Sequence, residues 1–144
     1  MDTGGKPPRT VLIVDAARAV RAALAGFVKG EGYAAETVDS GERALSTIKD
    51  NPIAFLVVDL KLPRLSGIET VIRAKVLNPD LIAVVMVGLG TLDAGVDALK
   101  AGALATIMKP FNAEELLAVL KRGGEHLDAQ ARIQDLQVEL AKSH

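Results

Sequence analysis

The alternation of short apolar runs with longer amphipathic stretches is the feature that most constrains the fold. Val11–Val14 and Phe55–Val58 are four-residue runs rich in β-branched residues, and Ile82–Val87 is a third apolar run of six residues. Runs of this length without polar positions are typical of strands buried on both faces of a sheet. Tyr33–Val38, which is less apolar, is predicted to be the second strand, and the short run Leu104–Met108 is predicted to be the fifth.

An amphipathic helix is predicted after each strand. The first covers Ala16–Lys29 and stops at Gly30. The other four begin at residues that favour helix N-termini, namely Ser40, Ser66, Thr91 and Asn112. Their predicted ends are near Asp50, Leu77, Ala101 and Arg122.

Strands that alternate with helices indicate an α/β fold with a parallel sheet. The β-α-β crossovers are expected to be right-handed, with helices on both faces of the sheet. For five strands we predict a doubly wound, flavodoxin-like sheet in the order 2-1-3-4-5.

Composition excludes several classes of protein. The chain of 144 residues has a formal net charge of −1, whereas nucleic-acid-binding domains are usually basic. It has no cysteine, and therefore no disulfide or thiolate metal site. Its apolar stretches are shorter than the roughly 20 residues that span a bilayer. We therefore expect a cytoplasmic domain that contacts neither nucleic acid nor membrane directly.

Three segments are predicted along the chain. Residues 1–8 are rich in Gly and Pro and are expected to be disordered, and residues 9–122 form the folded domain. Residues 123–144 are expected to be a Gly123-Gly124 hinge followed by a linker or dimerisation helix. That helix has a thin apolar seam, formed by Ala129, Ile133, Leu136 and Leu140. Docking of this helix on its own domain and a frayed tail are the alternatives.

The ends of the strands hold the residues that could carry chemistry. The first strand ends at Asp15, the third at Asp59 and the fifth at Lys109. Ligands of open parallel sheets bind outside the carboxyl ends of the strands, so these side chains should share one crevice. Paired carboxylates suit Mg²⁺, and an aspartate beside a lysine can accept a phosphoryl group.

Two kinds of enzyme fit the sequence poorly. Aspartyl-phosphate hydrolases place a second acid two residues after the nucleophile, and here that residue is Lys61. A dinucleotide site needs a glycine-rich turn after the first strand, where Ala16 and Ala17 stand. We therefore do not expect an enzyme.

The sequence resembles the receiver domain of two-component response regulators, the fold of the bacterial chemotaxis regulator. The resemblance covers about Arg9 to Arg122. It rests on four segments, which are Val11–Asp15, Asp59–Gly67, Ala98–Ala103 and Lys109–Phe111.

The resemblance implies a role for each residue of the crevice. Asp59 would accept a phosphoryl group from a histidine kinase or a phosphotransfer protein. Asp15, Asp59 and the backbone carbonyl of Lys61 would bind Mg²⁺, and Lys109 would pair with the phosphoryl group. The bond between Lys109 and Pro110 would be cis.

Three positions depart from the pattern of the family. Ala16 stands where a second acidic metal ligand is usual, so the site should bind Mg²⁺ more weakly. Val87 replaces the Thr or Ser whose hydroxyl binds a phosphoryl oxygen, and Thr106 replaces an aromatic residue. Asp59 either accepts phosphate and transmits it by another route, or the chain is a phosphorylation-independent docking or dimerisation module.

Further partners follow from the same resemblance. Homodimers are expected through the fourth and fifth helices, or through the C-terminal helix. The resemblance also implies an output domain outside this chain.

Overall fold

The computed structural model describes residues 7–91 and 93–143. Five parallel strands form one sheet in the order β2-β1-β3-β4-β5, which confirms the predicted topology. The strands are β1 Thr10–Val14, β2 Ala34–Val38, β3 Phe55–Asp59, β4 Ile82–Val87 and β5 Ala105–Met108. Of the predicted segment 1–8, residues 1–6 lie outside the described part of the chain.

Helices cover both faces of the sheet, as predicted. They are α1 Arg18–Gly30, α2 Gly41–Asp50, α3 Gly67–Leu77, α4 Ala94–Lys100 and α5 Ala113–Lys142. Side chains alternate along β3, so that Phe55 and Val57 pack with α1 and α5 on one face. Leu56 and Val58 pack with α2, α3 and α4 on the other face. Two apolar layers therefore hold the carboxyl ends of the strands in fixed positions.

Three of the four predicted N-terminal residues cap their helices as expected. The Ser40 and Ser66 side chains accept hydrogen bonds from the backbone N–H groups of Arg43 and Glu69. Asn112 accepts two such bonds at the start of α5. These bonds satisfy N–H groups that have no partner within a helix.

The predicted start of the fourth helix at Thr91 is wrong. A short 3₁₀ helix, Leu89–Thr91, follows β4, and α4 begins only at Ala94. The Thr91 hydroxyl bonds both the N–H and the carbonyl of Gly88, which lies before it, and so closes the turn instead of capping a helix.

The predicted hinge at Gly123-Gly124 is also wrong, because α5 continues through both glycines. A Cβ at Gly123 would lie 2.9 Å from Phe55 Cε1 and 3.0 Å from Ile82 Cγ2. Glycine therefore lets α5 approach the sheet closely. Its cost in a helix, about 1 kcal/mol relative to alanine, is offset by this packing.

Beyond the domain, the last turns of α5 are exposed. Ile133, Leu136 and Leu140 are 54%, 64% and 64% exposed, so the seam does not dock on its own domain. An ion pair of 2.7 Å between Arg9 and Asp128 ties this helix to the domain. Among residues 7–91 and 93–143, no helix has the length and apolar character to cross a membrane.

Candidate functional site

Three charged side chains meet at the carboxyl edge of the sheet. Asp15 follows β1, Asp59 is the last residue of β3 and Lys109 follows β5. The residues that precede the two aspartates are partners in the parallel register, so the aspartates are neighbours. The backbone N–H of Lys109 donates to the carbonyl of Val87 at 2.8 Å, which holds the lysine beside β4. The sheet thus brings together the three residues that the sequence places at strand ends.

Lys109 lies between the two carboxylates. Its Nζ is 2.5 Å from Asp15 Oδ2 and 3.3 Å from Asp59 Oδ2. The peptide bond between Lys109 and Pro110 is cis. The ammonium therefore pairs more closely with Asp15 than with Asp59.

Asp15 is buried and both of its carboxylate oxygens have donors. Oδ1 accepts from the backbone N–H of Ala17 at 2.8 Å, and Oδ2 accepts from Lys109. The backbone carbonyl of Asp15 accepts from Arg21 at 2.7 Å. This charge is stabilised by fixed donors rather than by water.

Asp59 is less well compensated. Burial raises the pKa of its carboxyl above the ordinary value, and the negative charge of Asp15 raises it further. The charge of Lys109 and hydrogen bonds from Lys109 and the Lys61 backbone lower this pKa, but they do not cancel the increase. The groups around Asp59 therefore do not fully compensate its negative charge when the carboxyl is ionised. A cation or an electrophile beside this carboxylate would be favoured.

The pKa of Lys109 is raised. Burial alone would lower it, but the hydrogen bond to Asp15 and the charges of both aspartates raise it by more. Lys109 is therefore a fixed cation at neutral pH.

A cleft of about 200 Å³ opens beside the acceptor carboxylate. It is lined by Asp59, Leu60, Lys61, Gly88, Gly90, Thr91 and Lys109. Its charged lining residues are Lys61, Lys109 and Asp59, and Lys109 also pairs with Asp15. The two ammonium groups could pair with an anion of the size of a phosphoryl group.

Gly67 fixes the chain immediately after Asp59. A Cβ at this position would lie 2.3 Å from the carbonyl oxygen of Asp59 and 2.8 Å from the Cα of Leu60. The Gly67 N–H donates to the carbonyl of Leu60 at 2.9 Å. The loop between β3 and α3 is therefore closed directly under the acceptor.

The oxygen atoms at the site suit a hard cation but are few. In the described ranges, 7–91 and 93–143, no cluster of three or more His, Cys, Asp and Glu side chains could hold a metal ion. The carboxylates of Asp15 and Asp59 remain as candidates, with the backbone carbonyl of Lys61. These hard oxygen donors fit Mg²⁺, which keeps several waters in its shell.

The three departures from the family pattern have distinct surroundings. Ala16 is exposed beside Asp15. Val87 is 3% exposed and packs in the apolar layer, so it offers no donor to the cleft. Thr106 is half-buried on β5, and its Oγ1 would lie 3.7 Å from a Cβ placed at Gly95.

Sequence reasoning missed the part that the loop after β4 plays in the cleft. The sequence pattern predicts a helix cap at Thr91 and assigns Gly88 and Gly90 no part in the site. The signal lies in the spacing, since a hydroxyl three residues after a glycine can fold back on it in a tight turn.

The comparison with protein families identifies the family of the chain. The family described as the response regulator receiver domain matches residues 11–121. The chain belongs to this family. Its members are receiver domains of two-component signalling, and the predicted resemblance is confirmed.

Receiver-containing regulators are similar to this chain in sequence. The transcriptional regulatory protein FixJ of Rhizobium meliloti is 35% identical over 127 residues, which are 88% of this chain and 62% of FixJ. The nitrogen assimilation regulatory protein NtrX of Azorhizobium caulinodans is 32% identical over 93% of this chain and 30% of its own length. The chain therefore spans between about a third and two thirds of these relatives.

Solved structures agree with these matches. The CheY-like receiver domain protein of Methanospirillum hungatei is 32% identical with a TM-score of 0.77, and the match covers 87% of this chain and 98% of that one. NtrX from Brucella abortus, in complex with ADP, is 30% identical with a TM-score of 0.83 over 90% of this chain and 30% of its own.

Proposed function

We propose that Asp59 accepts a phosphoryl group and that the domain relays it in two-component signalling. The observation that carries this proposal is the placement of Asp59 on a cleft that Lys61 and Lys109 also line, with the ammonium of Lys109 3.3 Å from its carboxylate. Family membership supports the phosphorelay role over a docking module that never takes phosphate. The donor is a histidine kinase or a phosphotransfer protein.

The transfer exchanges one bond for another. A carboxylate oxygen of Asp59 attacks phosphorus and forms a P–O bond, while the P–N bond to the donor imidazole breaks and its electron pair stays on nitrogen. Lys109 neutralises charge on the phosphoryl oxygens, because it lines the cleft and its ammonium lies 3.3 Å from the Asp59 carboxylate. The cation has to divide its hydrogen bonds between this group and Asp15.

Magnesium belongs to this proposal as a weakly held ion. When bound, it would neutralise charge on the phosphoryl oxygens. Asp15, Asp59 and the carbonyl of Lys61 would hold it. Since Ala16 adds no carboxylate and Lys109 occupies one oxygen of Asp15, we expect low affinity.

The proposed function also involves partners outside this chain. The proposal places the domain in the cytoplasm, where ATP is available to a kinase. An output domain elsewhere in the full protein would receive the signal. Dimerisation would use the exposed seam of α5, or the face of α4 and α5 on which Val96 and Leu99 are 58% and 50% exposed.

Intact mass tests the acceptor. The protein is incubated with Mg²⁺ and a small-molecule phosphodonor such as acetyl phosphate, beside Asp59→Asn and the control Asp80→Asn. One added phosphoryl group is expected in the wild type and in the control, and none in Asp59→Asn. A wild type that stays unmodified under conditions that modify an ordinary receiver would contradict the proposal.

A further inference from the structure

Thr91 brings a hydroxyl to the cleft from the 3₁₀ turn after β4. Its Oγ1 accepts a hydrogen bond from the N–H of Gly88 at 2.9 Å and donates to the carbonyl of Gly88 at 2.9 Å. Both residues line the cleft beside Asp59. These two bonds therefore occupy the N–H of Gly88 and the O–H of Thr91, which belong to two residues of the cleft lining.

The cleft has few other groups to bind the oxygens of a phosphoryl group. Among the described residues that line it, Thr91 alone carries a hydroxyl. Lys109 is shared with Asp15, and Lys61 is exposed. Val87 lies in the apolar layer and has no polar side-chain atom.

A phosphoryl oxygen would compete well for these donors. Hydrogen bonds to a charged acceptor are roughly twice as strong as those between neutral groups. The bond from the Thr91 hydroxyl to a neutral carbonyl is therefore the weaker option once an anion is attached to Asp59. The same exchange frees the Gly88 N–H, since Oγ1 has to leave it.

We propose that Thr91 is a ligand of the phosphoryl group, and that its hydroxyl moves from Gly88 to a phosphoryl oxygen when Asp59 is modified. The inference rests on the proposed function of Asp59. Thr91 would supply, from four residues beyond Val87, the hydroxyl that Val87 lacks. Its movement would link the state of Asp59 to the turn that leads into α4. The alternative is that the hydroxyl only closes the turn.

Beryllofluoride, which forms a phosphoryl-like adduct on aspartate, is a suitable probe at saturating Mg²⁺. Its affinity is measured by calorimetry for the wild type, Thr91→Val, Thr91→Ser and the control Thr106→Val, whose threonine lies outside the cleft. Loss of one hydrogen bond to a charged group predicts about tenfold weaker binding in Thr91→Val. Thr91→Ser and Thr106→Val should bind like the wild type.

A second readout separates binding from turn closure. In the wild type, the methyl resonance of Thr91 and the amide resonance of Gly88 should both shift on saturation with beryllofluoride. Equal affinities of the wild type and Thr91→Val, or a Thr91 methyl resonance that stays fixed while amides near Asp59 shift, would overturn the inference and leave the acceptor intact. A wild type that binds no beryllofluoride would overturn the acceptor role and the inference with it.

Discussion

The ammonium of Lys109 lies 2.5 Å from a carboxylate oxygen of Asp15, and the Asp15 side chain is only 2% exposed. The pair is therefore a structural tie between β1 and the segment after β5, as well as part of the site. Removing the ammonium leaves the buried charge of Asp15 without its ion-pair partner, whereas Lys109 without Asp15 still has Asp59 at 3.3 Å.

Lys109→Met should lower the free energy of unfolding by about 3 kcal/mol, because Asp15 keeps a buried charge without an ammonium. Urea denaturation at neutral pH measures the loss. Asp15→Asn in the same chain should recover part of it, since the buried charge is then gone. If the double variant is as unstable as the sum of the two single variants, the pair is not coupled.

Asp59→Asn should stabilise the fold at pH 7. The pKa of Asp59 is raised in the folded state, so the folded protein binds this proton more tightly than the unfolded chain does. In the wild type this carboxyl therefore stabilises the fold fully at pH values below its pKa in the unfolded chain. That contribution is lost as the pH rises through the raised pKa of the folded state. The advantage of Asp59→Asn should shrink as pH falls into the range where carboxyls titrate. Urea denaturation across pH, with exposed Asp80→Asn as a control, tests this. An advantage that does not change with pH would rule out the charge as its cause.

Gly123→Ala should destabilise the fold although alanine favours helices. The new Cβ would lie 2.9 Å from Phe55 Cε1, and relief of such overpacking typically costs about 1–3 kcal/mol. Gly26→Ala is the matched control, because it also lies in a helix and its Cβ would meet nothing within 4 Å. That variant should gain up to about 1 kcal/mol. Thermal denaturation compares them, and equal changes in both would show that helix propensity alone decides.

Ala16→Asp should tighten Mg²⁺ binding by about tenfold, because it adds a carboxylate beside Asp15. Amide shifts followed during a Mg²⁺ titration give the dissociation constant. Ala22→Asp, an exposed change on α1, adds the same charge away from the site and serves as the control. Equal effects of the two changes would mean that net charge, and not coordination, sets the affinity.

Replacing Ile133, Leu136 and Leu140 together with serine should yield a monomer if the seam joins two copies. The three side chains are more than half exposed, so the stability of the domain should not change. Light scattering gives the mass and urea denaturation gives the stability. Identical masses for variant and wild type would exclude the seam as the dimer contact.

The sheet and the three strand-end residues could be predicted because they depend on local pattern. Apolar runs define the strands, and a parallel sheet then places Asp15, Asp59 and Lys109 at one edge. That Lys109 lies nearer to Asp15 depends on side-chain distances, which no pattern of residues encodes.

Gly123 and Thr91 show where sequence reasoning fails. A pair of glycines in a helical sequence favours a break, and only the packing against Phe55 shows why the helix continues. A threonine before an amphipathic stretch favours a cap, and only the bonds to Gly88 show that it closes a turn. In both cases a tertiary contact or a local alternative outweighs propensity.

Because α5 is uninterrupted, it extends from the domain as a single rigid helix. From Gly123 to Lys142 the helix extends about 28 Å at 1.5 Å per residue. A tilt of about 5° at the contact between Gly123 and the sheet would displace the far end by about 2–3 Å. Small adjustments of β3 and β4 beneath that contact would therefore become a larger displacement at the far end of α5, because the helix is continuous between the two points.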